Sequence, residues 1–209
     1  MISALTYQEM LNTIQNNSQD KGVVDDFIGV LLTRPDLDTG RSILNSLEYY
    51  HHLTGENINF YLPGFGAYWG DNYPDKRTVA EVEGIQWYFS AEQFVLFVEE
   101  MQKYSKWSYS GESELLLMRL KDGTLTYDGM LLFYLDDMLR DEVIDSIPKF
   151  FQQLSYLFKD KESLNMIGNS LGKDKAVQII VERLLEKLPY GLGRVFTQEK
   201  YFCVKNMQK

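Results

Sequence analysis

The first 62 residues alternate between two hydrophobic patterns. The apolar run at residues 27–33 has the length of a strand that is buried on both faces, and residues 57–62 predict a second strand. Between these two predicted strands, Ile43 and Leu47 recur at helical spacing, and Gly55 is a typical residue just beyond a helix end. A strand, a helix and a second strand in about 35 residues predict a βαβ unit, in which the strands are parallel and the crossover is right-handed.

Two capping boxes mark helix starts outside this unit. Thr6 is followed three residues later by Glu9, the spacing at which the two side chains satisfy free amides in the first turn of a helix. Ser90 and Gln93 form the second box, and the residues after it carry an apolar stripe at helical spacing. The sequence therefore predicts one helix near the N-terminus and another after residue 90.

Hairpins and a further strand are predicted in the middle of the chain. Residues 78–89 read as a hairpin with Glu-Gly at its centre. An Asp-Gly pair, typical of tight hairpin turns, joins residues 114–120 to residues 124–127. The apolar run at residues 130–135 predicts a separate buried strand.

The remainder of the chain is predicted to be mainly helical. Residues 143–158 and 177–188 carry apolar stripes at helical spacing. Pro148 must either kink the first of these helices or follow a fresh helix start that Ser146 caps. Residues 201–204 predict a last edge strand.

These elements together predict the fold class and the domain organisation. We expect an α/β fold with a central mixed sheet, a βαβ unit near the N-terminus, flanking helices and a helical C-terminal part. Residues 1–140 are interpreted as an α/β body and residues 141–209 as a helical part that packs on this body, so that the chain forms one domain.

Charge is distributed unevenly along the chain. The 209 residues carry 21 Lys and Arg against 30 Asp and Glu, a net charge of -9. Residues 1–148 carry 10 bases and 24 acids, net -14, whereas residues 149–209 carry 11 bases and 6 acids, net +5. An acidic surface repels a phosphate backbone, so direct binding of nucleic acid is not expected.

Composition also bounds the class and compartment of the protein. Hydrophobic residues make up 44% of the chain and aromatics 14%, which suffices for a sizeable core and argues against disorder. The longest apolar run, residues 130–135, is far shorter than the about 20 residues that cross a bilayer, and no signal peptide is recognised. Cys203 is the single cysteine and cannot form an internal disulfide, so we expect the cytosol and no membrane partner.

The loop after the first buried strand is the first candidate site. Ligands of open parallel sheets bind outside the carboxyl ends of the strands, and this loop spans residues 34–41. Arg34 and Arg41 are suited to an anion, at the start of a helix that Asp38 or Thr39 is expected to cap. Asp36 is included in the same candidate site.

The loop after the second strand is the second candidate. Residues 63–70 contain three glycines, which permit close approach of the backbone to a ligand. Phe65, Tyr68 and Trp69 offer rings that stack on a base or another ring. The alternative is that these rings pin a long loop to the body of the protein.

Asp136, which follows the buried strand at residues 130–135, is the last candidate. It is placed to bind a metal or to act as a base, or it belongs to a solvated helix start. The phosphate-binding motif that should accompany such an acid is absent, because residues 168–174 are one residue short of it and end in Asp. Motifs of zinc proteases and of serine hydrolases are absent as well, so we assign no catalytic residue, no metal and no cofactor.

Three functions fit these observations, and we favour the first. It is a non-catalytic interaction or regulatory subunit of a cytosolic, bacterial assembly, with protein partners that are steered by charge and anchored by aromatic residues. The alternative is a protein, or an enzyme, that binds a small anionic ligand or a nucleotide at the strand ends. The third is an acidic mimic of nucleic acid that occupies a basic groove on another protein.

Overall fold

A computed structural model describes residues 1–21, 25–53, 58–69, 72–121, 123–159 and 198–205. The strands in this part of the chain are β1 (Ile2–Ala4), β2 (Asp25–Leu32), β3 (Asn59–Pro63), β4 (Phe65–Gly66), β5 (Arg77–Val82), β6 (Ile85–Phe89), β7 (Glu114–Lys121), β8 (Thr124–Tyr134) and β9 (Phe202–Lys205). The helices are α1 (Tyr7–Lys21), α2 (Asp38–Asn45), α3 (Leu47–Leu53), α4 (Ala91–Tyr104), α5 (Leu135–Arg140), α6 (Ile147–Lys159) and α7 (Gln198–Tyr201).

A mixed sheet of six strands, in the order β1-β3-β2-β7-β8-β9, forms the centre of the fold. Its strands β1, β3 and β2 are parallel, and β7, β8 and β9 continue the sheet in antiparallel pairs. The parallel pairing of β2 with β3 confirms the βαβ unit, and the predicted fold class is correct. Strand β1 was not predicted, because three residues before a capping box carry too short a pattern.

Burial on both faces explains why consecutive apolar residues occur in β2 and in β3. Residues 28 and 30–32 of β2 and residues 60–62 of β3 are all buried. Gly29 lies opposite Phe60, and a Cβ at Gly29 would stand 2.2 Å from the Phe60 ring. The glycine therefore makes room for a large ring in the layer between the sheet and the helices.

Helices cover both faces of this sheet. The ring of Phe60 packs on that of Phe151 in α6, with 5.0 Å between ring centroids. Successive side chains of a strand point to opposite faces, and the hydroxyl of the neighbouring Tyr61 is hydrogen-bonded to Asn17 in α1. Helices α2, α3 and α6 contact one another on one face, and α1 and α4 contact each other on the other face.

The N-cap hydroxyl of each predicted capping box forms its bond, whereas the amide of Ser90 donates to the carbonyl of Gly64 at 3.0 Å and not to Gln93. The Thr6 hydroxyl accepts from the amide of Glu9 at 3.1 Å, and the Ser90 hydroxyl accepts from the amide of Gln93 at 3.1 Å. The cap expected for the helix of the βαβ unit is wrong, because α2 begins after Leu37, whose side chain makes no capping hydrogen bond.

The helix of the βαβ unit also differs from the expected single element. It is divided at Ser46 into α2 and α3. Thr39 is buried, and the carboxylate of Asp38 pairs with Arg41. Neither side chain therefore caps the helix. The first turn of α2 is stabilised by a backbone hydrogen bond, in which the amide of Arg41 donates to the carbonyl of Leu37 at 2.9 Å.

Hairpins form where the sequence predicted them, with one correction. A small sheet of order β4-β6-β5 contains the hairpin of β5 and β6, and its turn residues Glu83 and Gly84 have φ of 51° and 79°. Residues 124–127 and 130–135 were expected as separate strands, but residues 124–134 form the one strand β8. A shift of register opposite β7, between Leu117 and Arg119, accommodates the intervening residues.

The described C-terminal elements complete the sheet and one helical layer. Ser146 begins α6, since its carbonyl accepts from the amide of Phe150 at 3.1 Å, and Pro148 lies in the first turn, where a missing amide costs nothing. Val143 and Ile144 precede the helix that was expected to include them, although both are buried. Strand β9 is the predicted edge strand.

Part of the predicted helical region, including the stripe at residues 177–188, lies outside the described residues, and the division at residue 140 stays a prediction. Among the described helices, none combines the length and the apolar character that crossing a bilayer requires.

Candidate functional site

Two places in the described part of the chain are candidates for binding. One has buried polar groups without hydrogen-bond partners, and the other is a cleft with exposed apolar side chains. The first is the edge of the central sheet at which the parallel strand β2 ends. Leu32 at the end of β2 pairs with Glu114 at the start of β7, and Glu114 pairs with Tyr134 at the end of β8. The residues that follow β2 and β8 therefore meet at this edge, as the rule for parallel sheets predicts. We call it the carboxyl edge.

A short hydrogen-bond chain connects the strands at the carboxyl edge. The hydroxyls of Thr33 and Ser113 are 2.8 Å apart, and both side chains are buried. The amide of Ser113 donates to the carboxylate of Asp136, and the amide of Leu135 donates to the carbonyl of Ser113 at 2.9 Å. Asp136 is thus held in the first turn of α5 by the strand opposite, and one of its oxygens is engaged by a backbone amide.

Tyr109 stands among the charges of this edge. Its hydroxyl oxygen is buried and has no hydrogen-bond partner among the described residues. Burial raises the pKa of Tyr109 far above its ordinary value, although the charge of Arg34 lowers it in part. The carboxylates of Glu114, Asp136 and Asp36 act in the same direction as burial. The phenol is therefore neutral and can donate a hydrogen bond.

Glu114 is a fully buried acid that the sequence analysis missed. Its carboxylate accepts from the indole nitrogen of Trp107 at 3.0 Å and from the amide of Ser110 at 2.9 Å. Burial is the main influence on its pKa, which is raised above the ordinary value. These contacts fix the loop that carries Tyr109. The sequence signal that could have identified Glu114 is an acid at the first position of an apolar strand, after a loop that contains Trp107.

The predicted arginine loop contributes one partly buried and one exposed arginine to the carboxyl edge. Arg34 pairs with Asp36 at 3.2 Å, and Arg77 from β5 approaches the same carboxylate at 3.9 Å. Arg41 binds the carbonyl of Asp36 at 2.9 Å and the carboxylate of Asp38. The Nε of Arg34 is buried and, within the described part of the chain, has no hydrogen-bond partner.

The aromatic loop is divided between core and surface. Phe65 is fully buried, and its ring centroid lies 4.6 Å from that of Phe89. Trp69 is also buried and packs on the ring of Tyr73 at 5.4 Å. Tyr68 is 82% exposed and has a positive φ of 62°. The two buried rings pin the loop to the body, whereas the ring of Tyr68 is presented to solvent.

The second unusual place is a cleft of about 870 Å³ between α1 and α4, above the first half of β8. We call it the tyrosine cleft. Its lining includes Tyr7, Leu11, Leu96, Phe97, Tyr104, Leu125 and Tyr127. No local pattern in the sequence marks this cleft, because its walls come from three elements that are distant along the chain.

The polar groups at the base of the tyrosine cleft satisfy one another. The hydroxyls of Tyr7 and Tyr127 are 2.6 Å apart and form a hydrogen bond. Burial raises the pKa of Tyr7 and that of Tyr127, so both phenols stay neutral. The ring of Tyr7 stacks on that of Tyr104 with 5.8 Å between centroids and meets that of Phe97 edge-on at 5.7 Å.

The wall of the cleft on α4 is open to solvent. Leu96 is 46% exposed and Tyr104 is 54% exposed. Glu100 and Lys103 also line the cleft and form an ion pair with each other. An exposed leucine and tyrosine above a floor of neutral phenols are suited to an apolar partner that offers a few hydrogen bonds.

Known proteins add no functional information to this geometry. Among the described residues, no group of three or more His, Cys, Asp and Glu is arranged to hold a metal ion. The chain matches no family model, no curated protein and no solved structure.

Proposed function

We propose that this protein is a non-catalytic interaction protein, which binds a basic amphipathic helix of a protein partner in the tyrosine cleft. The observation that carries this proposal is the exposed apolar wall of α4 above a concave aromatic floor. Solvent-exposed leucine and tyrosine that line one cleft are typical of a binding surface.

The shape of the cleft supports a helical occupant. Two helices, α1 and α4, form the walls and strand β8 forms the floor. An amphipathic helix that lies in such a groove contributes apolar side chains every three or four residues. Leu11, Leu96 and Leu125 offer contacts on three sides of the cleft.

Charge around the cleft supports a basic partner. Glu9 on α1 and Glu92 and Glu99 on α4 are exposed. The part of the chain that contains the cleft, residues 1–148, has a net charge of -14. Basic residues on the polar face of the partner would be attracted by this field, which increases the rate of association more than the final affinity.

The hydroxyl pair of Tyr7 and Tyr127 at the base of the cleft orients the bound helix. One of the two hydroxyl protons of Tyr7 and Tyr127 is used within the pair, and the other remains available to a partner. A polar group on the partner's apolar face can therefore bind at a defined depth, which fixes the position of the helix in the cleft.

Two synthetic helical peptides test this proposal by fluorescence anisotropy. Both carry leucines at the same helical spacing, and their polar faces carry either lysine or glutamate. We expect the lysine peptide to bind more tightly than the glutamate peptide, with an affinity that falls as salt screens the charges.

Leu96→Asp supplies the site-specific part of the test, with Val95→Asp as its control. Both residues are exposed on α4 and both variants add one negative charge, but Val95 is rotated by about 100° around the helix and does not line the cleft. We expect Leu96→Asp to weaken binding at least tenfold, a loss typical of a central apolar contact. Absence of binding by both peptides, or equal effects of the two variants, would refute the proposal.

A further inference from the structure

We propose that the carboxyl edge holds a second binding site, which takes the carboxylate or phosphate group of a small molecule through Arg34 and Tyr109. This site is separate from the tyrosine cleft and does not depend on the function proposed for that cleft.

Two buried donors without partners are the first support. The Nε of Arg34 and the hydroxyl of Tyr109 are both buried, and neither has a hydrogen-bond partner in the part of the chain that the structure describes. Nearly all buried polar groups in proteins are hydrogen-bonded, because an unsatisfied one destabilises the fold. Two such groups at one edge of the sheet indicate that their partner is a molecule other than the chain.

The chemistry of these donors selects the ligand. A guanidinium group has only donors, and the phenol of Tyr109 is neutral and donates its proton, so the missing partner must be an acceptor. Both residues lie beside the start of β7: Arg34 follows Leu32, which pairs with Glu114, and the amide of Ser110, next to Tyr109, donates to the carboxyl of Glu114 at 2.9 Å. A carboxylate or phosphate oxygen forms the strongest hydrogen bonds with such a pair, because the guanidinium is charged.

Asp36 shows how this edge receives a carboxylate. Its side chain is 55% exposed and lies between Arg34 at 3.2 Å and Arg77 at 3.9 Å. It engages the terminal nitrogens of the two arginines and leaves the Nε of Arg34 unused. An incoming anion therefore approaches a position beside Asp36, and this carboxylate is its competitor for the charge of Arg34.

The other acids at the carboxyl edge repel a bound anion less than their number indicates. Burial raises the pKa of Glu114, which favours its neutral form. The carboxylate of Asp136 accepts a hydrogen bond from the amide of Ser113, which offsets part of its charge. Asp36 thus remains the exposed carboxylate in contact with Arg34.

The backbone at Arg34 is held in place by α2. A Cβ at Gly40 would stand 1.9 Å from the carbonyl oxygen of Arg34, so α2 lies directly on the end of β2. The amide of Leu37 donates to the same carbonyl at 3.1 Å. Arg34 therefore starts from a fixed backbone position, which reduces the entropy that ligand binding must overcome.

Isothermal titration calorimetry with inorganic phosphate and with acetate, at ionic strength matched by chloride, tests this site. We expect at least one of the two anions to bind the wild-type protein. Binding of phosphate alone identifies a phosphate ligand, and binding of acetate identifies a carboxylate. If neither anion binds at millimolar concentration, the proposal is overturned.

Three variants locate the binding. Tyr109→Phe removes only the unpartnered hydroxyl and should weaken binding about tenfold without lowering the melting temperature of the free protein. Asp36→Asn removes the competing carboxylate and should tighten binding. Lys149→Ala is the control, because it removes an exposed positive charge that pairs with Asp145 at the start of α6, and it should leave the affinity unchanged.

The same titrations separate this site from the cleft. Leu96→Asp should bind the anion like the wild type, so a failure of the peptide experiment leaves this result interpretable. Wild-type affinity in Tyr109→Phe, or an equal loss in Lys149→Ala, would show that the anion does not bind at Arg34 and Tyr109.

Discussion

The tyrosine cleft and the carboxyl edge show opposite states of polar and apolar groups. At the base of the cleft the hydroxyls of Tyr7 and Tyr127 bind each other, whereas the apolar side chains of Leu96 and Tyr104 remain exposed. At the carboxyl edge the apolar residues are buried, and the hydroxyl of Tyr109 lacks a partner. Each region therefore lacks a different kind of contact, and we expect each to bind a different kind of molecule.

The largest expected effect is a loss of stability in the variant Gly40→Ala, which perturbs the carboxyl edge. The added methyl group would meet the carbonyl oxygen of Arg34, a backbone atom that cannot move without shifting β2. We expect a loss of about 3 kcal/mol in the free energy of unfolding, at the upper end for overpacked sites. Urea unfolding measures it, and Ser42→Ala, at an exposed position of the same helix, is the control.

Gly40→Ala also separates the two regions. Because α2 and the tyrosine cleft lie on opposite faces of the sheet, the folded variant should still bind the lysine peptide while it loses affinity for the anion. Retention of wild-type stability would show that α2 does not lie as close to Arg34 as the structure indicates.

A smaller effect is expected from removing single phenol hydroxyls. Tyr7→Phe breaks the bond to Tyr127 and leaves a polar group unpaired in a partly buried place, so we expect a loss of about 1 kcal/mol in the free energy of unfolding. The double variant Tyr7→Phe/Tyr127→Phe should recover part of this loss, since no hydroxyl is then left unpaired.

Tyr109→Phe supplies the contrast at the carboxyl edge. Its hydroxyl has no partner to lose among the described residues, so the stability of the free protein should stay equal or rise. If Tyr109→Phe destabilised the protein as much as Tyr7→Phe does, the distinction between the two regions would be wrong.

The smallest expected effect is a change in how stability depends on pH. It is measured as the difference in stability between the wild type and a variant with glutamine in place of Glu114. Burial raises the pKa of Glu114 in the folded protein above the ordinary value of 4.5. Between the two values the folded chain binds more protons than the unfolded chain. The contribution of this carboxyl to stability is therefore full below pH 4.5 and is lost as the pH rises through the raised pKa.

Glu114→Gln tests this dependence. The amide does not titrate, so the wild type should lose stability relative to the variant as the pH rises from 4.5 through the raised pKa of Glu114. Urea unfolding of both proteins at each pH measures the difference. Glu81→Gln, at an exposed carboxyl of β5, is the control, and a constant difference between Glu114→Gln and the wild type would contradict the assignment.

Local patterns in the sequence predicted a large part of the fold. The apolar run of β2, the N-cap bonds of Thr6 and Ser90, and the turn at Gly84 are each marked by residues that are close along the chain. Such features are encoded by neighbours along the chain, so they can be read without a structure. Strand β1 could not be read, because it has three residues and pairs with the distant β3. The continuity of β8 was missed because Asp128 and Gly129 interrupt its apolar pattern, and a register shift opposite β7 accommodates them.

The candidate site was predicted only in part. The rule for parallel sheets predicted that Arg34, Asp36 and Asp136 lie at one edge. The charges of all three influence the pKa of Tyr109. Thr39 is buried and Arg41 is engaged by neighbouring acids, and of the predicted rings Tyr68 is the exposed one. The predicted roles of these residues in ligand binding stay predictions.

The sequence by itself determined the helices and strands that carry a clear local pattern, and the charged residues that follow the strand ends. It did not determine which polar groups would be left without partners or which apolar side chains without cover. Those properties depend on side chains such as Tyr7 and Tyr127, which are 120 residues apart along the chain and 2.6 Å apart in space. Only the tertiary structure decides such contacts, because hydrogen bonding and burial depend on the distance between groups in the folded protein.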